Sequence, residues 1–312
     1  MVTTRILFVG GFTGAGKTTL LLEAAQRLTK QGLRVGVITN DFIPESVDTA
    51  LLTRRGLRVE EVKGSCFGSN FNGLTEAVER IRSDIAADVI LAEPTGICAD
   101  LSATVVQPLK QLYGRKLPLG PLSITADPVR LDDILNGGTS GLHPDVACIF
   151  RRQLEESDII LITKTDTATP EALQQLAART RTAYHSCVMK ISSVTGDGID
   201  GWLQEAMMRY ESGLRIAALD RETCARGHSA TSWLNGTVRV RGKTSDWDTF
   251  ARLLLTELKK HFEEKQIYPV QHIKLLVENG DACLTGSLTD TSSGALSFHG
   301  SAGKGEHMKL TV

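Results

Sequence analysis

The chain has 312 residues, a formal net charge of −1 and a pI near 6.7. That length buries one large or two modest cores, and the balanced charge gives no global electrostatic case for nucleic acid or a membrane surface as a partner. No apolar run approaches membrane-spanning length and no signal-peptide pattern is present, so a cytoplasmic protein is expected. Its six scattered cysteines (Cys66, Cys98, Cys148, Cys187, Cys224, Cys283) then read as free thiols or metal ligands, not a disulfide framework.

In chain order, the apolar run Ile6-Leu7-Phe8-Val9 reads as a buried strand. Gly11-x-x-x-x-Gly16-Lys17-Thr18 follows it. Leu20, Leu21, Ala24, Ala25 and Leu28 then recur at helical spacing, with Gly32 just past the end. A second apolar run, 34–39, ends at Asn40-Asp41. A strand-like piece at 57–62 leads into Lys63–Asn70, and 71–85 reads as a helix. Asp88–Ala92 reads as a strand delivering Glu93-Pro94-Thr95-Gly96, and 101–113 as a helix. A strand is expected over 119–126, a glycine-rich loop at 137–141 and a helix near 146–156. Asp158–Ile162 is a strong strand ending in Thr163-Lys164-Thr165-Asp166. A helix opens at Pro170, a short strand spans 187–191, and Ser192–Gly198 precedes a last helix to about 210. Strands alternating with helices imply a doubly wound α/β fold with a mostly parallel sheet, whose ligands bind at the carboxyl ends of the strands.

After about 215 the pattern changes. Residues 1–212 are expected as one domain, 213–232 as a linker, and 233–312 as a small α+β domain of one helix (247–262) and about five strands. Period-two alternation puts Arg239 and Arg241, with His272 and Lys274, on one sheet face, which reads as a solvated face or a docking surface.

Four motifs carry chemistry. In the first, the glycines let the backbone of Gly11, Thr13, Gly14, Ala15 and Gly16 wrap a phosphate, and the following helix adds its positive end at Lys17, Thr18 and Thr19. Lys17 reaches the β- and γ-phosphates and the Thr18 hydroxyl ligates Mg²⁺. In the second, Glu93 holds Mg²⁺ through water or positions an attacking water, and Gly96 offers an N–H to the γ-phosphate. In the third, Asp166 accepts from guanine N1–H and its exocyclic amine while the Lys164 stem packs along the base. Thr163 stands where Asn is usual. The backbone of the Ser192–Gly198 loop, Ser193 and Val194 included, closes over the base. The fourth is Asp41, which faces the metal or the water, or simply starts a turn.

Together these stretches, GFTGAGKTT, Val37–Asp41, Glu93-Pro94-Thr95-Gly96 and Leu161–Asp166, resemble the CobW/HypB/UreG family of P-loop GTPases over roughly residues 5–210. The resemblance implies a P-loop NTPase fold, GTP and GDP as ligands, and GTP hydrolysis coupled to delivering a metal or metal cofactor. It also implies a client metallo- or corrinoid enzyme as partner and a GTP-dependent homodimer. The 233–312 region is similar to the C-terminal domain of CobW-type members. At the family's Cys-x-Cys-Cys site the chain departs, with Gly64-Ser65-Cys66-Phe67-Gly68 and no histidine close by in sequence. Zn, Co or Ni at Cys66 would need further ligands, from Cys98 or a second copy, because one thiolate does not hold a transition metal tightly. Two other readings stay open: a small-molecule kinase using ATP, and a slow nucleotide-gated scaffold without metal cargo.

Overall fold

The computed structural model describes residues 3–42, 46–216, 221–265, 270–289 and 296–312. Residues 217–220 of the expected 213–232 linker lie outside them. The chain groups into two units, Met1–Pro44 with Leu52–Ser232, and Glu45–Leu51 with Trp233–Val312.

The first unit is built on seven parallel strands. Along the chain they alternate with helices: β1 Arg5–Gly11, α1 Lys17–Lys30, β2 Val35–Asp41, α2 Val47–Arg54 (whose residues up to Leu51 belong to the second unit), β3 Arg58–Lys63, α3 Phe71–Ile85 and β4 Val89–Glu93. There follow α4 Gln107–Tyr113, β5 Ser123–Ala126, α5 Pro128–Leu135, α6 Pro144–Glu155, β6 Ile159–Ile162, α7 Pro170–Tyr184, β7 Cys187–Lys190, α8 Ile199–Met208 and α9 Arg221–Ser229. The strand order is β3-β2-β4-β1-β5-β6-β7. All seven residues of β1 are buried, as a strand covered on both faces requires. Ile6 and Phe8 enter the core shared with α3, α4, α5 and α6, whereas Leu7 and Val9 enter the core shared with α1 and α8. This order sets the carboxyl ends of β4, β1, β5 and β6 side by side.

Three local expectations are corrected. The 119–126 strand is confined to β5, with a single bridge from Leu119 to Ile6, because Pro118 and Pro121 lack the N–H that a ladder needs. The helix expected at 101–113 begins as a π-helical turn, Ser102–Val106, before α4; Pro108 removes the hydrogen bond to the carbonyl of residue 104. Residues 128–135 form α5, which had not been expected. Asp127 caps it, accepting from the N–H groups of Val129 and Arg130 at 3.0 and 3.4 Å, and Pro128 takes a first-turn position.

The stretch expected as a linker is structured in its described residues. The Asp158 carboxylate accepts from the N–H groups of Gly213 (2.6 Å) and Leu214 (3.1 Å). Helix α9 lies against α6, with Arg226 on Asp145 at 3.0 Å. Gly227 is what lets the helices meet: a Cβ there would lie 2.6 Å from Ile149 Cδ1.

The second unit is a five-stranded antiparallel sheet, order β11-β10-β9-β12-β8, with β8 Thr237–Asp246, β9 Ile273–Asn279, β10 Ala282–Leu288, β11 Leu296–Ser301 and β12 Lys304–Thr311. Helix α10, Trp247–Glu264, covers one face through Ala251 and Leu255, meeting Leu275, Val277, Leu284 and Met308. Asp246 caps α10 through the Thr249 N–H at 3.0 Å. On the other face Lys274 pairs with Asp48, the His272 ring lies 2.7 Å from the Ser287 hydroxyl, and Arg239 and Arg241 are exposed on the edge strand β8.

The Trp202 indole on α8 is fully buried and donates to the Ser123 hydroxyl at 2.9 Å. Trp202→Phe deletes that donor, and we expect a loss of about 1–3 kcal/mol, read as a lower urea midpoint at unchanged slope.

Candidate functional site

The glycine-rich loop leaves β1 at Gly11, whose φ is 127°. A Cβ on Gly11 would sit 2.3 Å from the Thr125 carbonyl oxygen, so glycine is required there both by conformation and by the approach of β5. Gly14 and Gly16 also have positive φ, and α1 starts at Lys17 without a capping side chain from Gly16. Its first turn thus brings N–H groups and a positive dipole end to the loop. Lys17 and Thr18 are buried, while Thr19 is exposed. The Lys17 ammonium lies 3.5 Å from the Phe12 carbonyl oxygen and 3.9 Å from Glu93 Oε1. The Thr18 hydroxyl donates to the same Glu93 oxygen at 3.1 Å. Glu93 ends β4 and is only 6% exposed. The first and second motifs are therefore in direct contact.

The loops brace one another through backbone carbonyls. Gly96 lies against the phosphate loop so closely that a Cβ would fall 2.2 Å from Thr13 Oγ1 and 2.7 Å from the Thr13 nitrogen. Arg130 on α5 donates to the Thr13 carbonyl at 3.0 Å and sits over the Phe12 ring at 5.3 Å. Thr163 has its hydroxyl 2.9 Å from the Ala15 carbonyl and 3.2 Å from that of Ala126. In place of the usual Asn, then, it still ties the end of β6 to the phosphate loop. Gln153 of α6 is fully buried, and its amide donates to the carbonyls of Gly96 (3.1 Å) and Cys98 (2.7 Å).

On the far side of the loop, Lys164 adopts a left-handed conformation at φ 52° and pairs with Asp127 at 2.7 Å. Asp166 is exposed, and its Oδ1 accepts from the Ser192 hydroxyl at 2.5 Å. The Ser192 oxygen in turn accepts from the N–H groups of Val194 (3.2 Å) and Thr195 (3.1 Å). One hydroxyl so fixes both Asp166 and the backbone around Ser193 and Val194.

Asp41 ends β2, two residues beyond Thr39, which stands beside Glu93 in the β2–β4 register. Its neighbour Asn40 donates to the carbonyls of Val62 (2.9 Å) and Ser65 (2.7 Å), anchoring the turn that carries Cys66. Cys66 is half-buried and lies 3.3 Å from the Ser69 hydroxyl, and Cys98 is fully buried. A histidine does stand close enough to act on Cys66 electrostatically. It is His228 of α9, far away in sequence, whose ring meets Phe42 at 5.8 Å. The influence of Cys98, with the Ser69 hydroxyl and N–H, pulls the Cys66 thiol down to about 5, whereas the influence of Cys66 and burial push Cys98 up. Among the described residues no group of three or more His, Cys, Asp and Glu side chains is placed to hold a metal ion.

Sequence reasoning passed over Gln153, Arg130 and His228. Gln153 was detectable: Val146, Ile149, Phe150, Gln153 and Leu154 form one apolar helical face, and a polar residue on it signals a buried partner. His228 was hidden inside a segment of no evident pattern.

A parallel sheet whose central strand delivers this loop, with a buried carboxylate at the next strand end, defines a P-loop nucleotide-binding protein. The nucleotide-binding-domain model of the CobW/HypB/UreG family matches residues 5–188, and the chain belongs to that family. It is 31% identical over 181 residues to the zinc chaperone YeiR of Escherichia coli (strain K12), covering 55% of this chain and 50% of that protein. It is 30% identical over 184 residues to the zinc chaperone YjiA of the same organism, covering 56% and 54%. The chain spans about half the length of these curated relatives. Among solved structures, the hydrogenase maturation factor HypB from Archaeoglobus fulgidus aligns with a TM-score of 0.47 and 15% identity, over 65% of this chain and 88% of that one.

Gln153→Leu strips the donor from two buried carbonyls. We expect a loss of about 1–3 kcal/mol in unfolding titrations, together with weaker nucleotide binding in calorimetry. Glu156, beside α6, accepts from the Ser102 N–H at 3.0 Å, and burial pushes its carboxyl from 4.5 up to about 8. The folded protein keeps that proton over a window in which the unfolded chain has released it, so stability falls as pH rises from about 5 to about 8. Glu156→Gln keeps an acceptor and should flatten this slope in urea midpoints measured across the window.

Proposed function

We propose that the chain is a Mg²⁺-dependent GTPase whose nucleotide cycle drives the assembly, metal or cofactor insertion, or reactivation of a client metallo- or corrinoid enzyme. The observation that carries the GTPase reading is the meeting of four strand ends: Lys17 and Thr18 lie against Glu93, and Asp166 is set by Ser192 on the other side of the same phosphate loop. Family membership and the similarity to the zinc chaperones YeiR and YjiA support the delivery reading.

The backbone of 13–16 and the first turn of α1 hold the phosphates, and Lys17 neutralises their charge. The Thr18 hydroxyl and the Glu93 carboxylate, 3.1 Å apart and buried, form a hard-oxygen donor set that fits Mg²⁺, with Asp41 at the neighbouring strand end. Bound there, Mg²⁺ would shield the phosphate oxygens. Glu93 orients the attacking water. Gly96, held by Gln153, offers its N–H to the γ-phosphate. Asp166 accepts from guanine N1–H and the exocyclic amine, donors that adenine lacks in this arrangement. Lys164, held by Asp127, covers the base, as does the backbone of Ser193 and Val194. The GTP-bound form pairs with a second copy. No helix among the described residues is long and apolar enough to cross a membrane.

Calorimetric titration with GTP, GDP and ATP in Mg²⁺, wild type beside Asp166→Ala, tests the nucleotide reading. We expect GTP and GDP to bind, ATP to stay silent, and the variant to lose about a hundredfold in guanine-nucleotide affinity. ATP binding as tightly as GTP would overturn the guanine assignment. Lys17→Ala should abolish phosphate release from GTP.

A further inference from the structure

Strand β8 has one open side: among the described residues it pairs with β12 alone. Gly236 and Val312, just before β8 and just after β12, exchange both backbone hydrogen bonds, at 3.0 and 2.9 Å. That pair fixes the alternation of the ladder. Counted from it, the N–H and C=O groups of Val238 and Val240 turn to β12, and those of Thr237, Arg239 and Arg241 turn to the open edge.

The side chains divide with the same period. Val240 packs at the border of the core under α10, and Val238, on the same face, is 52% exposed. Arg239 and Arg241 stand exposed on the opposite face and pair with no carboxylate among the described residues. Their cross-strand neighbours are Lys309 and His307. Lys309 is neutralised by Glu278 at 3.1 Å, whereas the two arginines have no such counterion. Basic side chains facing one another across a ladder cost stability, and a negative strand laid alongside would offset that cost.

We propose that β8 is a docking edge for an extended segment of a partner protein, one with acidic side chains at alternate positions and apolar ones between them. The added strand pairs with the outward groups of Thr237, Arg239 and Arg241. Its carboxylates meet the two arginines, and its apolar side chains continue the face of Val238 and Val240. The open edge is a row of alternating donors and acceptors, which a peptide satisfies and a phosphodiester chain, having no N–H to return, does not. A second copy of β8 would bring like charges instead. The inference rests on the second unit alone and is independent of the nucleotide reading.

The test titrates the full chain into a fluorescein-labelled, end-capped octapeptide of alternating Glu and Val and follows its anisotropy. We expect saturable binding that weakens with salt, about tenfold tighter than for an octapeptide with the same Glu and Val in separate blocks. Hydrogen exchange in the presence of the alternating peptide should slow at 237–241. The double variant Arg239→Glu, Arg241→Glu should lose the Glu–Val peptide and gain an alternating Lys–Val one, a reversal that mere damage to the fold would not produce. Absence of binding, block-peptide or oligothymidylate binding as tight as that of the alternating peptide, undiminished binding by the double variant, or protection confined to another segment would overturn the proposal.

Discussion

Burial of β1 on both faces is the constraint from which the rest follows. Each fully buried aliphatic or aromatic side chain contributes about 1.5–3 kcal/mol, and Ile6, Leu7, Phe8 and Val9 are all at most 1% exposed. No rearrangement can release this strand without opening both cores. Its carboxyl end is therefore the most fixed point in the first unit, and the phosphate loop inherits that position. A site that must stabilise developing charge gains from such rigidity, because its dipoles need no reorganisation during the reaction.

The loop itself is not held by side chains of its own. Its carbonyls at Thr13 and Ala15 take donors from α5 and from the end of β6, and Gly96 fits against it for want of a side chain. The same economy operates at the base end, where the Ser192 hydroxyl orients both a carboxylate and a turn. Segments at the ends of β1, β4 and β6 thus share supports. A displacement in one is felt in the next through a single hydrogen bond or through the close packing that Gly96 permits.

The alternating fold and the four motifs were legible because each rests on a local rule. Apolar runs set the strands, glycines set the loop, and Asp-Pro at 127–128 even announced α5, although that signal went unused. What local rules could not show was partnership across the sheet. Thr163 looked like a weakened Asn, yet its hydroxyl reaches Ala15. Gly227 looked like flexibility, yet it is a helix contact. Cys66 had no histidine close by in sequence, yet His228 of α9 acts on it electrostatically. In each case the deciding contact joins positions far apart in sequence, so no window of sequence contains it.

The second unit carries a hazard of its own that its sequence disarms. Strand β8 spans ten residues at the border of the five-stranded sheet, and nearly all of them are exposed. A long, exposed border of this kind is a template for joining two sheets edge to edge. Here Arg239, Arg241 and Lys243 recur along it, and its pairing with β12 shifts register between Gly305 and His307. Two copies brought border to border would set like charges opposite one another across an irregular ladder. The solubility of this unit is thereby written into the strand that most threatens it.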